Sequence, residues 1–191
     1  MSTLRLAALT VLASAVFSFS TYGQSLNTNW QKDLTTLMDQ FMSCTSSSSD
    51  TYPCSALIAE SVAKVYKLNG PLYSEKSKRY LLLKEVSQQL TESSQWSVIG
   101  HAYDQKALTE AQELANAKKA VIAVYSTPDG IAHLALILPG ELQYSGTWGF
   151  QVPNSASFVL NDPSKSYVGK GLSYAFARNM IKDVTLYSKK Y

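Results

Sequence analysis

The hydrophobic pattern changes its period once, near Lys119, and that switch limits the fold more than any other feature of the chain. Before it, apolar residues recur at helical spacing. Trp30, Leu34, Leu37, Met38 and Phe41 predict a first helix ending near Cys44, with Asn27, Thr28 or Asn29 available to cap it. A second opens at Cys54, carries Ile58, Val62 and Val65 on the stripe that includes the cysteine, and runs to about Leu68, where Asn69-Gly70-Pro71 reads as a stop. A third is expected over Ser74–Leu90, with Leu83, Val86 and Leu90 inward and Glu75, Lys78, Arg79 and Glu85 outward. A fourth runs from an Asp104 cap to Asn116, while Trp96 and the residues around His101 fit neither period. After the switch, Ala120–Tyr125 and Ile131–Leu138 read as strands joined by the turn Thr127-Pro128-Asp129-Gly130. Leu142–Trp148, Ser155–Leu160 and Val184–Tyr187 are further expected strands, the last closing the sheet. Helices followed by an antiparallel meander predict an α+β fold, with N-terminal helices packed on a C-terminal antiparallel sheet.

The N-terminus sets the compartment. Arg5, the apolar run Leu6–Phe17, and Thr21 and Gly23 placed before Gln24 read as an export signal, too short for a membrane anchor. The expected division is a signal over residues 1–23 and one domain over 24–191, secreted or periplasmic and without a stable membrane anchor after cleavage. The net charge of +3 is too small to imply nucleic-acid binding, and a mildly basic surface suits an anionic cell wall. There is no H-E-x-x-H, G-x-S-x-G, Walker loop or dinucleotide fingerprint, and two histidines and two cysteines, widely spaced, make no zinc ligand set. No cofactor or metal is expected.

What remains for chemistry is cysteine and histidine. Cys44 and Cys54, in an exported chain, form either a disulfide closing the serine-rich stretch between them or a nucleophile with a spare thiol. Cys54 follows Pro53 at a helix opening, where unpaired amides and the helix dipole favour a thiolate. Strand alternation groups His133 with Ala135 and Ile137, so its half-buried ring needs a polar partner. That partner is either a backbone carbonyl, in a structural role, or Cys54, for which His133 would act as general base. His101, in Gly100-His101-Ala102-Tyr103-Asp104, reads as a surface residue.

Cys54-Ser55-Ala56-Leu57-Ile58 resembles the nucleophile motif of the NlpC-type and CHAP-type cysteine peptidases and amidases, papain-like enzymes that cut peptidoglycan peptides. The strand 119–125 followed by Gly130-Ile131-Ala132-His133-Leu134-Ala135-Leu136-Ile137 is similar to that family's Gly-His strand, with two extra residues between the glycine and the histidine. The resemblance covers about residues 50–160. It implies a papain-like fold and peptidoglycan peptides as the partner. It also implies attack by Cys54 on an amide carbonyl, His133 as base, and a third polar residue that fixes the imidazole. For that third place Asn154 comes first and Gln151 second; a tight hairpin at Pro139-Gly140 would instead bring Ser145 or Thr147 opposite His133. A regulating inhibitor or immunity protein is compatible with such an enzyme but unidentified. The contrasting expectation is a non-catalytic secreted binding or inhibitor module with a structural Cys44–Cys54 bridge.

Overall fold

The structure, a computed structural model, describes residues 26–44, 54–68, 70, 72–128 and 130–191. The expected export signal, the serine-rich stretch, Pro53, Asn69, Pro71 and Asp129 lie outside the described residues.

Helix α1 (Trp30–Ser43) follows its period and buries Leu34, Leu37, Met38 and Phe41. Of the three expected caps, Asn27 fastens the entry: its Oδ1 accepts the Asn29 amide at 2.9 Å and its Nδ2 donates to Asp33 at 2.6 Å. Helix α2 (Ala56–Val65) buries Ile58, Val62 and Val65, and stops ahead of the expected Gly70. Lys67 takes the left-handed conformation (φ 46°) and the Leu68 amide donates to the Ala63 carbonyl at 2.9 Å, which closes the helix early.

The third helix is shorter than its expected span. Residues 74–79 offer no apolar side chain to bury and turn instead between β1 (Tyr73–Ser74) and β2 (Arg79–Tyr80). Helix α3 (Leu83–Glu92) starts only after this hairpin. Glu85 fixes that start, accepting the Leu82 amide at 2.7 Å and the two Arg79 guanidinium nitrogens at 2.6 and 3.0 Å. The Arg79 hydrogen bond holds the Glu85 carboxyl below the usual carboxylate range. Trp96 and His101, which neither period placed, bound strand β3 (Trp96–His101). Helix α4 (Gln105–Asn116) is capped as expected, with Asp104 Oδ1 accepting the Lys106 amide at 2.8 Å.

Strands β4 (Val121–Thr127) and β5 (Gly130–Ile137) form the expected hairpin. The expected strand over Leu142–Trp148 is instead half of a separate two-stranded ribbon, β6 (Gln143–Ser145) with β7 (Phe150–Val152). After it come β8 (Asn154–Ser157), β9 (Tyr167–Gly171) and β10 (Val184–Lys189). The main sheet is six-stranded and antiparallel in the order β3-β10-β4-β5-β8-β9. β10 therefore does not close the sheet but lies inside it, and the simple meander is corrected. With Val184 and Leu186 fully buried, this strand gains from ladder partners on both sides.

Period-two alternation divides the core by face. Ile122, Val124, Leu134, Leu136 and Leu138 pack with α1, α2 and α3 through Leu34, Phe41, Ile58, Val62, Val86 and Leu90. Val121, Ala123, Ala135 and Ile137 pack on the other face with Leu108, Ala111 and Ala115 of α4, and with Trp148, Leu172 and Phe176. The result is a mixed α+β fold with four helices among the described residues, three against one face and one against the other. Polar side chains staple α4 in place. Buried Gln112 donates to the Leu138 carbonyl at 2.9 Å and accepts the Asn154 amide at 2.8 Å, while Asn116 exchanges two bonds with the Gly140 backbone at 3.0 and 2.8 Å. Among the described residues no helix is long and apolar enough to cross a membrane.

Candidate functional site

Cys54 lies two residues ahead of α2, and its carbonyl accepts the Leu57 amide at 3.2 Å, so it belongs to the turn that opens the helix. Its sulfur is bonded to Cys44, the residue after α1. Packing of α1 against α2 brings the two Cα atoms to 5.9 Å, inside the usual disulfide range. Of the two arrangements that the sequence left open, this form has the disulfide: neither cysteine is free, and an oxidised sulfur is no nucleophile.

His133 stands on β5 opposite Tyr125 and faces the α4 side of the sheet, as its alternation with Leu134 predicts. Its ring meets Phe176 edge-on, with centroids 5.2 Å apart. Its Nε2 lies 2.7 Å from Oγ of Ser157, a fully buried serine on neighbouring β8 that pairs with Ala135, one diagonal step away. Burial lowers the imidazole pKa to about 4, so the ring is neutral at neutral pH. In the tautomer that donates Nε2–H to Ser157, the Nδ1 lone pair is open, and Nδ1 has no hydrogen-bond partner among the described residues.

Cys54 and His133 are not brought together in this form. No hydrogen bond joins them, and Cys54 packs against the cluster containing Leu134 and Leu136, whereas His133 touches Phe176 of the opposite cluster. The ring's polar partner is a serine, neither the carbonyl nor the thiol that sequence reasoning offered.

The expected third residues fall elsewhere. Asn154 Nδ2 donates to the Pro139 carbonyl at 2.9 Å, and its amide is held by Gln112, so it locks the chain after β5 and does not reach His133. A Cβ on Gly140 would come within 2.8 Å of the Asn154 side chain, which explains a glycine at this close approach. Gln151 exchanges backbone bonds with the Gln105 side chain at 2.9 and 2.8 Å. Ser145 bonds Thr147, 3.1 Å between hydroxyls, within the separate ribbon. The neighbour of β5 is β8 rather than β6, so Ser157 occupies the place these four were considered for. A serine inside an alternating strand was the available signal: Ser155 and Ser157 share the face of β8 opposite Ala156 and Phe158. His101 is exposed, stacked on Tyr103 at 5.4 Å, as a surface residue should be. Trp148 is core, its Nε1 donating to the Phe176 carbonyl at 3.1 Å.

Among the described residues, no group of three or more His, Cys, Asp or Glu side chains is placed to hold a metal ion. Compared with known proteins, the chain matches no protein-family model and no curated protein. The chemistry of the site therefore rests on its own geometry.

Proposed function

We propose that this chain is an exported, papain-like cysteine hydrolase acting on amide bonds of peptidoglycan stem peptides, and that the disulfide-bonded form is its resting state. His133 carries the reading: burial keeps the imidazole neutral, one ring nitrogen is tied to Ser157, and the other has no partner among the described residues, as a general base requires. Cys54 at the opening of α2 supplies the nucleophile once freed. A thiol donor reduces the Cys44–Cys54 bond with two electrons and two protons, giving two thiols and leaving the donor as a disulfide. Cys54 Sγ then passes its proton to His133 Nδ1 and attacks the carbonyl carbon. The C–N bond breaks as the imidazolium protonates the leaving amine, and water hydrolyses the thioester. A thiolate beside the ring favours the charged imidazolium, which offsets the burial that depresses its basicity. Ser157, in place of Asn154, keeps Nε2–H oriented. The reading requires release of the disulfide to carry Cys54, which packs with the α1–α3 cluster, to within about 3 Å of the Nδ1 of a ring that meets Phe176 of the other cluster.

Alkylation of Cys44→Ser protein by iodoacetamide, followed against pH, tests that requirement. Cys54 is expected to react well below the ordinary thiol pKa of about 8.5, and His133→Ala in the same background moves its profile up toward that value, short of it by what the helix opening contributes. Identical profiles with and without the imidazole would sink the pairing.

The disulfide itself favours a second reading: a secreted binding or inhibitor module in which Cys44–Cys54 is a structural staple. Folded protein with a free Cys54 that alkylates as an ordinary thiol and cleaves no wall fragment belongs to this reading.

A further inference from the structure

A cleft of about 570 Å³ opens between the β6–β7 ribbon and the turn after β9, within the range of small-molecule sites, roughly 300–1,000 Å³. Its lining carries no ionisable group other than tyrosine hydroxyls. Gln143, Thr147 and Ser173 supply an amide and two hydroxyls, Ser145 being buried and bonded to Thr147 and the Trp148 amide, and Tyr144 and Tyr174 are 70% and 68% exposed. Two large rings left in water beside one cleft cost hydration free energy that packing elsewhere would recover, so their exposure points to a ligand that covers them. Both walls are held before any ligand arrives. Trp148 Nε1 ties the ribbon to the Phe176 carbonyl at 3.1 Å, Arg178 donates to the Thr147 carbonyl at 2.7 Å, and the Leu172 amide donates to the Pro153 carbonyl at 2.9 Å. Lys170 stands 5.2 Å from the Tyr174 ring centre and steadies that platform. Gly171 leaves the floor bare, since a Cβ there would come within 2.9 Å of Val152.

From this lining we infer that the cleft is a carbohydrate site, taking a glycan chain of uncharged pyranose units. A pyranose presents an apolar C–H face that stacks on a tyrosine ring and a rim of hydroxyls that exchange hydrogen bonds with serine, threonine and glutamine; the lining supplies both and itself holds no charged side chain, the nearby Lys170 ammonium standing against the Tyr174 ring. The site does not depend on Cys54 or His133. It holds whether the chain is a hydrolase or a binding module, giving either one a grip on a polysaccharide.

The test is calorimetric titration of the disulfide-bonded full chain with a β-1,4-linked N-acetylglucosamine tetramer, with a short acidic peptide as competitor. Binding in the micromolar to millimolar range is expected, unaffected by the peptide. Tyr144→Ala and Tyr174→Ala should each weaken it about tenfold without lowering the melting temperature, and Tyr174→Trp, which keeps a stacking face, should retain it. No binding at millimolar tetramer, an affinity unchanged in the double alanine variant, or displacement by the peptide would overturn the assignment.

Discussion

Holding His133 neutral makes the folded state sensitive to acid. The unfolded chain titrates this imidazole near the usual value of about 6.5, whereas burial in the fold lowers its pKa to about 4. As pH falls through that window, the unfolded chain gains a proton that the native ring refuses. Stability is therefore full above about pH 6.5, declines down to about pH 4, and loses nothing more from this group below that. At 1.36 kcal/mol per pKa unit the loss has a ceiling of about 3 kcal/mol, a large share of the roughly 5–15 kcal/mol that holds a domain folded. His133→Gln removes the titration while keeping an amide able to reach Ser157, so carboxylates titrating in both proteins cancel in the comparison. Urea unfolding of the two proteins, both with the disulfide intact, between neutral pH and pH 4 should show wild type losing about 2–3 kcal/mol more than the variant at constant m-value. Parallel stability curves would mean that the ring is not held neutral by burial, and the general-base reading would lose its support.

Cys44→Ser opens the cross-link between cysteines 10 residues apart and should cost about 2–3 kcal/mol in denaturant unfolding while leaving Cys54 as a titratable thiol. Ser157→Ala leaves Nε2 of a half-buried ring without its partner, for which thermal melts should report about 1–2 kcal/mol. In the Cys44→Ser background the same change should lower kcat more than KM, since it disturbs the orientation of the base rather than a substrate contact. Gln112→Leu leaves the Leu138 carbonyl and the Asn154 amide unpaired, at a cost of about 2–4 kcal/mol in urea unfolding.

Some of this was legible in the sequence because the physics is local. Leu34, Leu37, Met38 and Phe41 specify α1 by period, Asp104 caps α4, and the turn before Gly130 defines the β4–β5 hairpin. The errors arose where long-range partners decide. Continuing the period of Leu83, Val86 and Leu90 backwards to Ser74 ignored the lack of any apolar side chain over residues 74–79, and Glu85 with Arg79 sets the true start of α3. No local signal says that β10 inserts between β3 and β4, or that β6 and β7 leave β5 free to pair with β8. That single pairing turned Asn154 from a site residue into a lock on the Pro139 carbonyl and brought Ser157 to His133. The position of Cys54 at a helix start was readable, but its oxidation state was not, because two cysteines in a chain that is expected to be exported suit either role.

The most direct test is mass spectrometry of purified peptidoglycan after incubation with three folded proteins: disulfide-bonded wild type, Cys44→Ser, and Cys44→Ser carrying His133→Ala. New amide-cleaved muropeptides are expected from Cys44→Ser alone. Intact peptidoglycan after incubation with folded Cys44→Ser, or the same products from disulfide-bonded wild type, would contradict a Cys54–His133 hydrolase held at rest by its disulfide.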